Sequence, residues 1–156
     1  MKKIIILILF FNVSGLFAQE TDVFNFKLAV KPASGGENGY IINFIKDSLS
    51  ITLVELKVED KDIVMGTTKK TIVFKLSNCQ LKKIKKYTEK INDIPLFKQY
   101  SGLVLDSWEF EFSNERNKFY FNSNDIAEKI ELKSVKDLIK YLKKITSIKI
   151  GVMYQS

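Results

Sequence analysis

Val104–Phe121 reads Val-Leu-Asp-Ser-Trp-Glu-Phe-Glu-Phe, then Ser-Asn-Glu-Arg-Asn, then Lys-Phe-Tyr-Phe. Trp108, Phe110 and Phe112 alternate with Glu109 and Glu111, the period of a strand with one buried and one wet face. Phe119 and Phe121 alternate with Lys118 and Tyr120 in the same way. For the phenylalanines of both runs to share a face, Ser113 must oppose Lys118, so the loop holds an even number of residues. A two-residue loop would place Glu115 and Arg116 at positive φ, which suits neither. The stretch therefore predicts a hairpin closed by a four-residue turn, Asn114–Asn117, with Tyr120 across from Glu111 and Lys118 diagonal to it. Its tryptophan, the only one in the chain, is expected in the core, with Trp108→Ala costing about 3–5 kcal/mol.

Working outward, two helical periods flank this hairpin. Ser77-Asn-Cys-Gln80 has the form of a capping box, and Leu81, Ile84, Thr88 and Ile91 follow at helical spacing. Pro95 closes that helix. Downstream, Asn122–Asp125 reads as a turn, and Ile126–Leu132 fits either a strand or a helical turn. Ser134–Asp137 reads as a second cap, and Val135, Leu138, Ile139, Leu142 and Ile145 form an apolar stripe. Ile148, Ile150, Val152 and Tyr154 alternate as a last short strand.

Upstream, short alternating runs read as strands. They are Phe24–Val30, Tyr40–Ile45, Ile51–Val58, Ile63–Met65 and Thr71–Leu76, broken at Lys31–Gly39, Asp47-Ser48, Glu59–Asp62 and Gly66–Lys70. In the third, Thr52, Val54, Leu56 and Val58 fall on one side. This order argues a single α+β domain over 19–156, with a mostly antiparallel sheet covered on one face by helices at Asn78–Ile91 and Val135–Thr146.

Residues 1–18 have the layout of a cleaved secretory leader. Lys2-Lys3 is followed by the apolar run Ile4–Phe11 and then by Asn12, Ser14, Gly15 and Ala18. Eight apolar residues are too few for the roughly 20 that a helical span needs, so no permanent membrane span is expected after cleavage. The chain is read as exported, periplasmic or secreted. With 46% apolar and 28% charged residues in 156, it can build one core without staples. Cys79 is its single cysteine, so no intramolecular disulfide is available. It is expected as a small buried hydrophobe of the first helix rather than a reactive thiol.

The absence of histidine removes the commonest general base and the commonest zinc ligand. No nucleophile motif stands in for them, and neither a catalytic residue, a metal nor a cofactor is expected. Glu59–Asp62 is an acidic turn without the ligand spacing of a calcium loop. Gly35-Gly36-Glu37-Asn38-Gly39 joins two strands instead of opening a helix, so it is no phosphate cradle. Gly35, Gly36, Asn38 and Tyr40 could instead form a contact surface for a partner.

Glu109 and Glu111 lie one strand period apart, roughly 6–7 Å, the spacing of a glycosidase carboxylate pair. On the outer side of a half-buried strand, solubility alone explains them. Basic charge concentrates in Thr67–Tyr100, which has nine Lys against two acids. Lys82, Lys86 and Lys90 form one helical stripe, and Lys136, Lys140 and Lys143 repeat it on the second helix. Such stripes fit an envelope polyanion. Nucleic acid is not the expected partner, because the sole arginine, Arg116, falls in a turn. The sequence thus points to an exported, non-catalytic binding or inhibitory module that meets a protein or envelope component. A carboxylate-dependent hydrolase using Glu109 and Glu111, and a polyanion binder using the lysine stripes, are the alternatives.

Overall fold

The computed structural model describes residues 24–32, 38–60, 62–94 and 107–148. Six strands form one antiparallel sheet: β1 (Phe26–Pro32), β2 (Asn38–Ile45), β3 (Ser48–Glu59), β4 (Asp62–Phe74), β5 (Trp108–Ser113) and β6 (Lys118–Asn122). Their spatial order is β4-β3-β2-β1-β5-β6. Among the described residues three helices accompany them: α1 (Asn78–Asn92), α2 (Ser123–Glu128) and α3 (Lys133–Thr146), the last entered through a 3-10 turn at Ile130–Leu132. The first four strands form a meander. The chain then passes through α1 and returns on the far side of β1, so β5 and β6 extend the sheet there. The α+β class and the two-helix layer expected above are those observed.

The hairpin has the register that parity demanded. Phe110 pairs with Phe121, Glu111 with Tyr120, Phe112 with Phe119 and Ser113 with Lys118. The paired phenylalanines stack at 5.1 and 5.0 Å between ring centroids. On the same face β1 contributes Phe26, Leu28 and Val30, and Phe26 stacks on both Phe44 and Phe112 at 5.7 Å. Ile84 and Ile91 of α1 and Val135, Leu138, Ile139 and Leu142 of α3 close this interior from above, all fully buried. Thr88 is buried among them, and its hydroxyl donates to the Ile84 carbonyl at 3.1 Å, so that hydroxyl is not stranded. Trp108 departs from expectation. It packs against the core but is only half-buried, as the first residue of β5.

The turn also anchors α1. Asn114 Oδ1 accepts from the backbone N–H of Arg116 at 2.9 Å and of Asn117 at 2.7 Å, while its Nδ2 donates to Asn92 Oδ1 at 2.6 Å. Asn117 Nδ2 donates at 3.4 Å to the Ile91 carbonyl, which also accepts from the Ile94 N–H at 3.0 Å. Asn114→Ala removes all three bonds of that side chain at once. It should destabilise the fold by about 1–3 kcal/mol in a urea titration, with hydrogen exchange accelerated at both the turn and the last turn of α1.

At the other end of α1 the expected capping box is present. Ser77 N–H donates to Gln80 Oε1 at 2.8 Å, and Gln80 N–H donates to Ser77 Oγ at 3.3 Å. A second box was read as a plain turn in the sequence. Asn122 Oδ1 accepts from Asn124 and Asp125 N–H at 2.9 and 3.0 Å, and Asp125 Oδ2 accepts from Asn122 N–H at 2.9 Å, so Asn122 caps α2. The cap expected at Ser134 is absent. Helix α3 starts at Lys133 with Leu132 as N-cap and no side-chain bond, since the preceding 3-10 turn already delivers the chain in helical geometry.

Strand β4 is one run of 13 residues, not the two short strands expected. Gly66–Lys70 stays in the ladder by bulging. From the pair Leu53–Lys70 to Val54–Thr68, and again to Leu56–Met65, β4 carries one residue more than β3. The bulges bend the distal part of the β3–β4 hairpin over the face opposite the helices. There Lys31 of β1 donates to the Ile63 carbonyl, although β2 and β3 lie between β1 and β4 in the sheet. Val54 is 2% exposed yet stands apart from the main core, enclosed by this fold-over. Gly39 lies beneath it. A Cβ there would sit 3.1 Å from Leu56 Cδ2 and from the Val30 carbonyl, and 3.3 Å from Met65 Cε.

The leader at 1–18, Gly35 and Gly36, the Leu96–Gly102 connection and all but Ile148 of the expected last strand lie outside the described residues.

Candidate functional site

The helix-free face of the sheet carries the two glutamates that the sequence singled out. Glu109 and Glu111 stand on β5 between Lys31 on β1 and Lys118 on β6. Lys31 Nζ lies 3.0 Å from Glu109 Oε2, and Lys118 Nζ lies 3.0 Å from Glu111 Oε1. The two glutamates therefore do not converge on a shared point: each is taken up by its own lysine, on opposite sides of the strand. Hydrogen bonding to Tyr120, and then to Glu111, pushes the Lys118 pKa up to about 12. Because the folded value exceeds the ordinary 10.5, this stabilisation is complete below that pH and vanishes as pH rises through about 12. Glu111→Gln should lower the Lys118 value, as read by NMR titration of the lysine side chain, and an unchanged value would mean that the 3.0 Å ion pair does not hold the lysine.

The remaining candidates disperse. Asn38 belongs to β2 rather than to the loop expected at Lys31–Gly39, and Tyr40, expected in that strand, packs half-buried against the core. Asn38 opposes Glu55 in the ladder, and its enclosed Oδ1 has no hydrogen-bond partner among the described residues. The acidic turn is a tight hairpin end in which Glu59 pairs with Asp62 and Asp60 takes φ 50°. Among the described residues no group of three His, Cys, Asp or Glu side chains could hold a metal ion, and no helix is long and apolar enough to cross a membrane. Cys79 is exposed, contrary to its reading as a buried hydrophobe. It occupies the first turn of α1, whose inward stripe begins only at Leu81 and Ile84. Tyr141 lies nearby, its pKa raised by burial and then by Cys79 and Tyr87.

Lys82, Lys86 and Lys90 are all exposed along α1, as their spacing predicts. Their neighbours serve the fold: Lys83 sits 4.7 Å above the Tyr141 ring, and Lys85 pairs with Asp47 at 2.8 Å. On α3 the stripe is less open, with Lys140 exposed and Lys136 and Lys143 half-buried. Lys136 and Lys140 join Lys133, Asp137, Ile126 and Ile130 around an open depression of about 430 Å³. Ile130, 84% exposed at its rim, had no periodic signal in the sequence to mark it.

The sheet edges differ sharply. β6 is five residues long and runs straight into α2. β4 is long and, among the described residues, has no strand on its outer side: Thr67–Val73 are all exposed, including Ile72 at 43% and Val73 at 66%. The sequence reading missed this edge because it divided β4 at Gly66. Five of those seven residues are β-branched, which is the signal that could have kept the strand whole.

Comparison with models of protein families, with curated proteins and with solved structures gives no match to this chain.

Proposed function

We propose that this protein is an exported, non-catalytic binding or inhibitory module that works by presenting the β4 edge of its sheet to a macromolecule. One observation carries the reading: a 13-residue edge strand exposes apolar side chains on both faces, Ile72 towards the helix side and Val73 towards the other. An uncovered edge offers a row of main-chain donors and acceptors, and apolar neighbours on both sides let an added strand pack as well as pair. Export rests on the leader-like residues 1–18.

The test is site-specific photo-crosslinking in producing cells. A benzophenone side chain at position 73 should capture a partner, and one at the exposed α1 position 89 should not. Capture from 89 with none from 73 would overturn the reading. The polyanion alternative keeps one support, the exposed line of Lys82, Lys86 and Lys90. It requires retention on an anionic resin that collapses with salt. The hydrolase alternative is weakest, because Lys31 and Lys118 engage the two carboxylates separately.

A further inference from the structure

We infer that the β4 edge takes an extended acidic segment of another protein as a seventh strand, along Lys70–Phe74. This inference rests on the binding-module reading and names the partner's chemistry. Over this window β4 pairs with β3 without interruption, Lys70 with Leu53 through Phe74 with Leu49. An edge that is regular on its inner side presents its remaining N–H and C=O groups outward at regular spacing. The bulges around Lys69 and Gly66 interrupt the regular ladder on one side, and β4 stops at Phe74 ahead of the capping residue Ser77 on the other. The window is thus five residues, about 17 Å, which suits one short strand.

Charge decides the occupant. Gly66–Leu76 contains Lys69, Lys70 and Lys75 and no acid. Among the described residues none of the three lysines forms an ion pair. A second copy of this chain, paired antiparallel about Ile72, would set Lys69 against Lys75 at both ends. Both lie just outside the regular window, near enough for like charge to oppose that pairing, so the lysines guard the edge against self-association. The same lysines attract a strand with acids at its ends and β-branched residues at its centre, where Ile72 and Val73 supply apolar neighbours. Electrostatics thus selects the partner, and the backbone ladder holds it.

The experiment uses the whole chain and two synthetic octapeptides, Glu-Glu-Thr-Val-Ile-Thr-Glu-Glu and its twin with every Glu replaced by Lys, in fluorescence anisotropy titrations. At low salt the acidic peptide should bind about tenfold or more tighter than the basic one, and high salt should abolish the difference. The double variant Lys69→Glu, Lys70→Glu should reverse the preference. Both positions are exposed, so it should fold as the parent does by circular dichroism. Binding of the acidic peptide should slow amide exchange at alternate residues of Lys70–Phe74. Equal binding of both peptides, no reversal in the double variant, protection that maps elsewhere, or a dimer of the chain through this edge would each overturn the proposal. If position 73 still captures a partner in cells while the acidic peptide fails, the binding module stands and the acidic strand falls.

Discussion

Replacing Phe112 by alanine should lower the free energy of unfolding by about 3–5 kcal/mol. Its ring is fully buried, stacks at 5.7 Å on Phe26 and at 5.0 Å on Phe119, and stands on β5 opposite Leu28 of β1. Those contacts come from the two flanking strands, β1 and β6, with a helical layer above them, so the surroundings have little room to collapse into the space left behind. Urea denaturation followed by Trp108 fluorescence and far-UV circular dichroism measures the loss. A cost of about 1 kcal/mol or less would mean that the ring is not the joint between β1 and the hairpin. Trp108→Ala should cost less than Phe112→Ala, about 1–3 kcal/mol, since the indole is only partly buried. The backbone N–H of Trp108, which donates to Ser123 Oγ at 3.2 Å, survives that change.

Gly39→Val should cost about 1–3 kcal/mol by overpacking, and its structural effect should be local. The Leu56 and Met65 side chains above Gly39 can shift, but the Val30 carbonyl 3.1 Å from the added Cβ is main chain in the middle of the sheet. The branched side chain must therefore lift the folded-over part of the β3–β4 hairpin. Exchange of the Val54 amide should accelerate in the variant, while the phenylalanine core on the other face keeps its protection. A variant that loses protection uniformly would show that the two faces do not open separately. Gly39→Ala should fall between the variant and the parent.

The contrast between these two sites tracks what the sequence could convey. The hairpin around Phe112 was legible down to its register because alternation and parity are local and leave one solution. The box at Ser77–Gln80 was legible for the same reason: its four residues are contiguous. Bulges are not local in that sense. Gly66–Lys70 looks like a break when read alone, and only pairing with β3 shows that β4 absorbs its additional residues and continues. Asn122 was ambiguous because an asparagine–aspartate cluster serves a turn and a helix start equally well. Cys79 was misplaced because burial in the first turn of a helix depends on which way the stripe faces. As for the candidate site, the lysine partners of Glu109 and Glu111 differ. Lys118 follows from the hairpin register, whereas Lys31 requires knowing that β5 returns to pair with β1.

That return bears on how the chain acquires its structure in time. β1, the first strand of the sheet in sequence, is flanked by β2, its immediate successor, and by β5, which follows only after three strands and a helix. The four-strand meander can assemble through short loops. The aromatic interior cannot, since it awaits closure of a long loop whose entropy is lost before any stacking contact rewards it. Folding should therefore be slow for a domain of this size, in the regime of sheets dominated by distant pairings. Until β5 arrives, β1 remains a second open edge, with Leu28 and Val30 uncovered beside it.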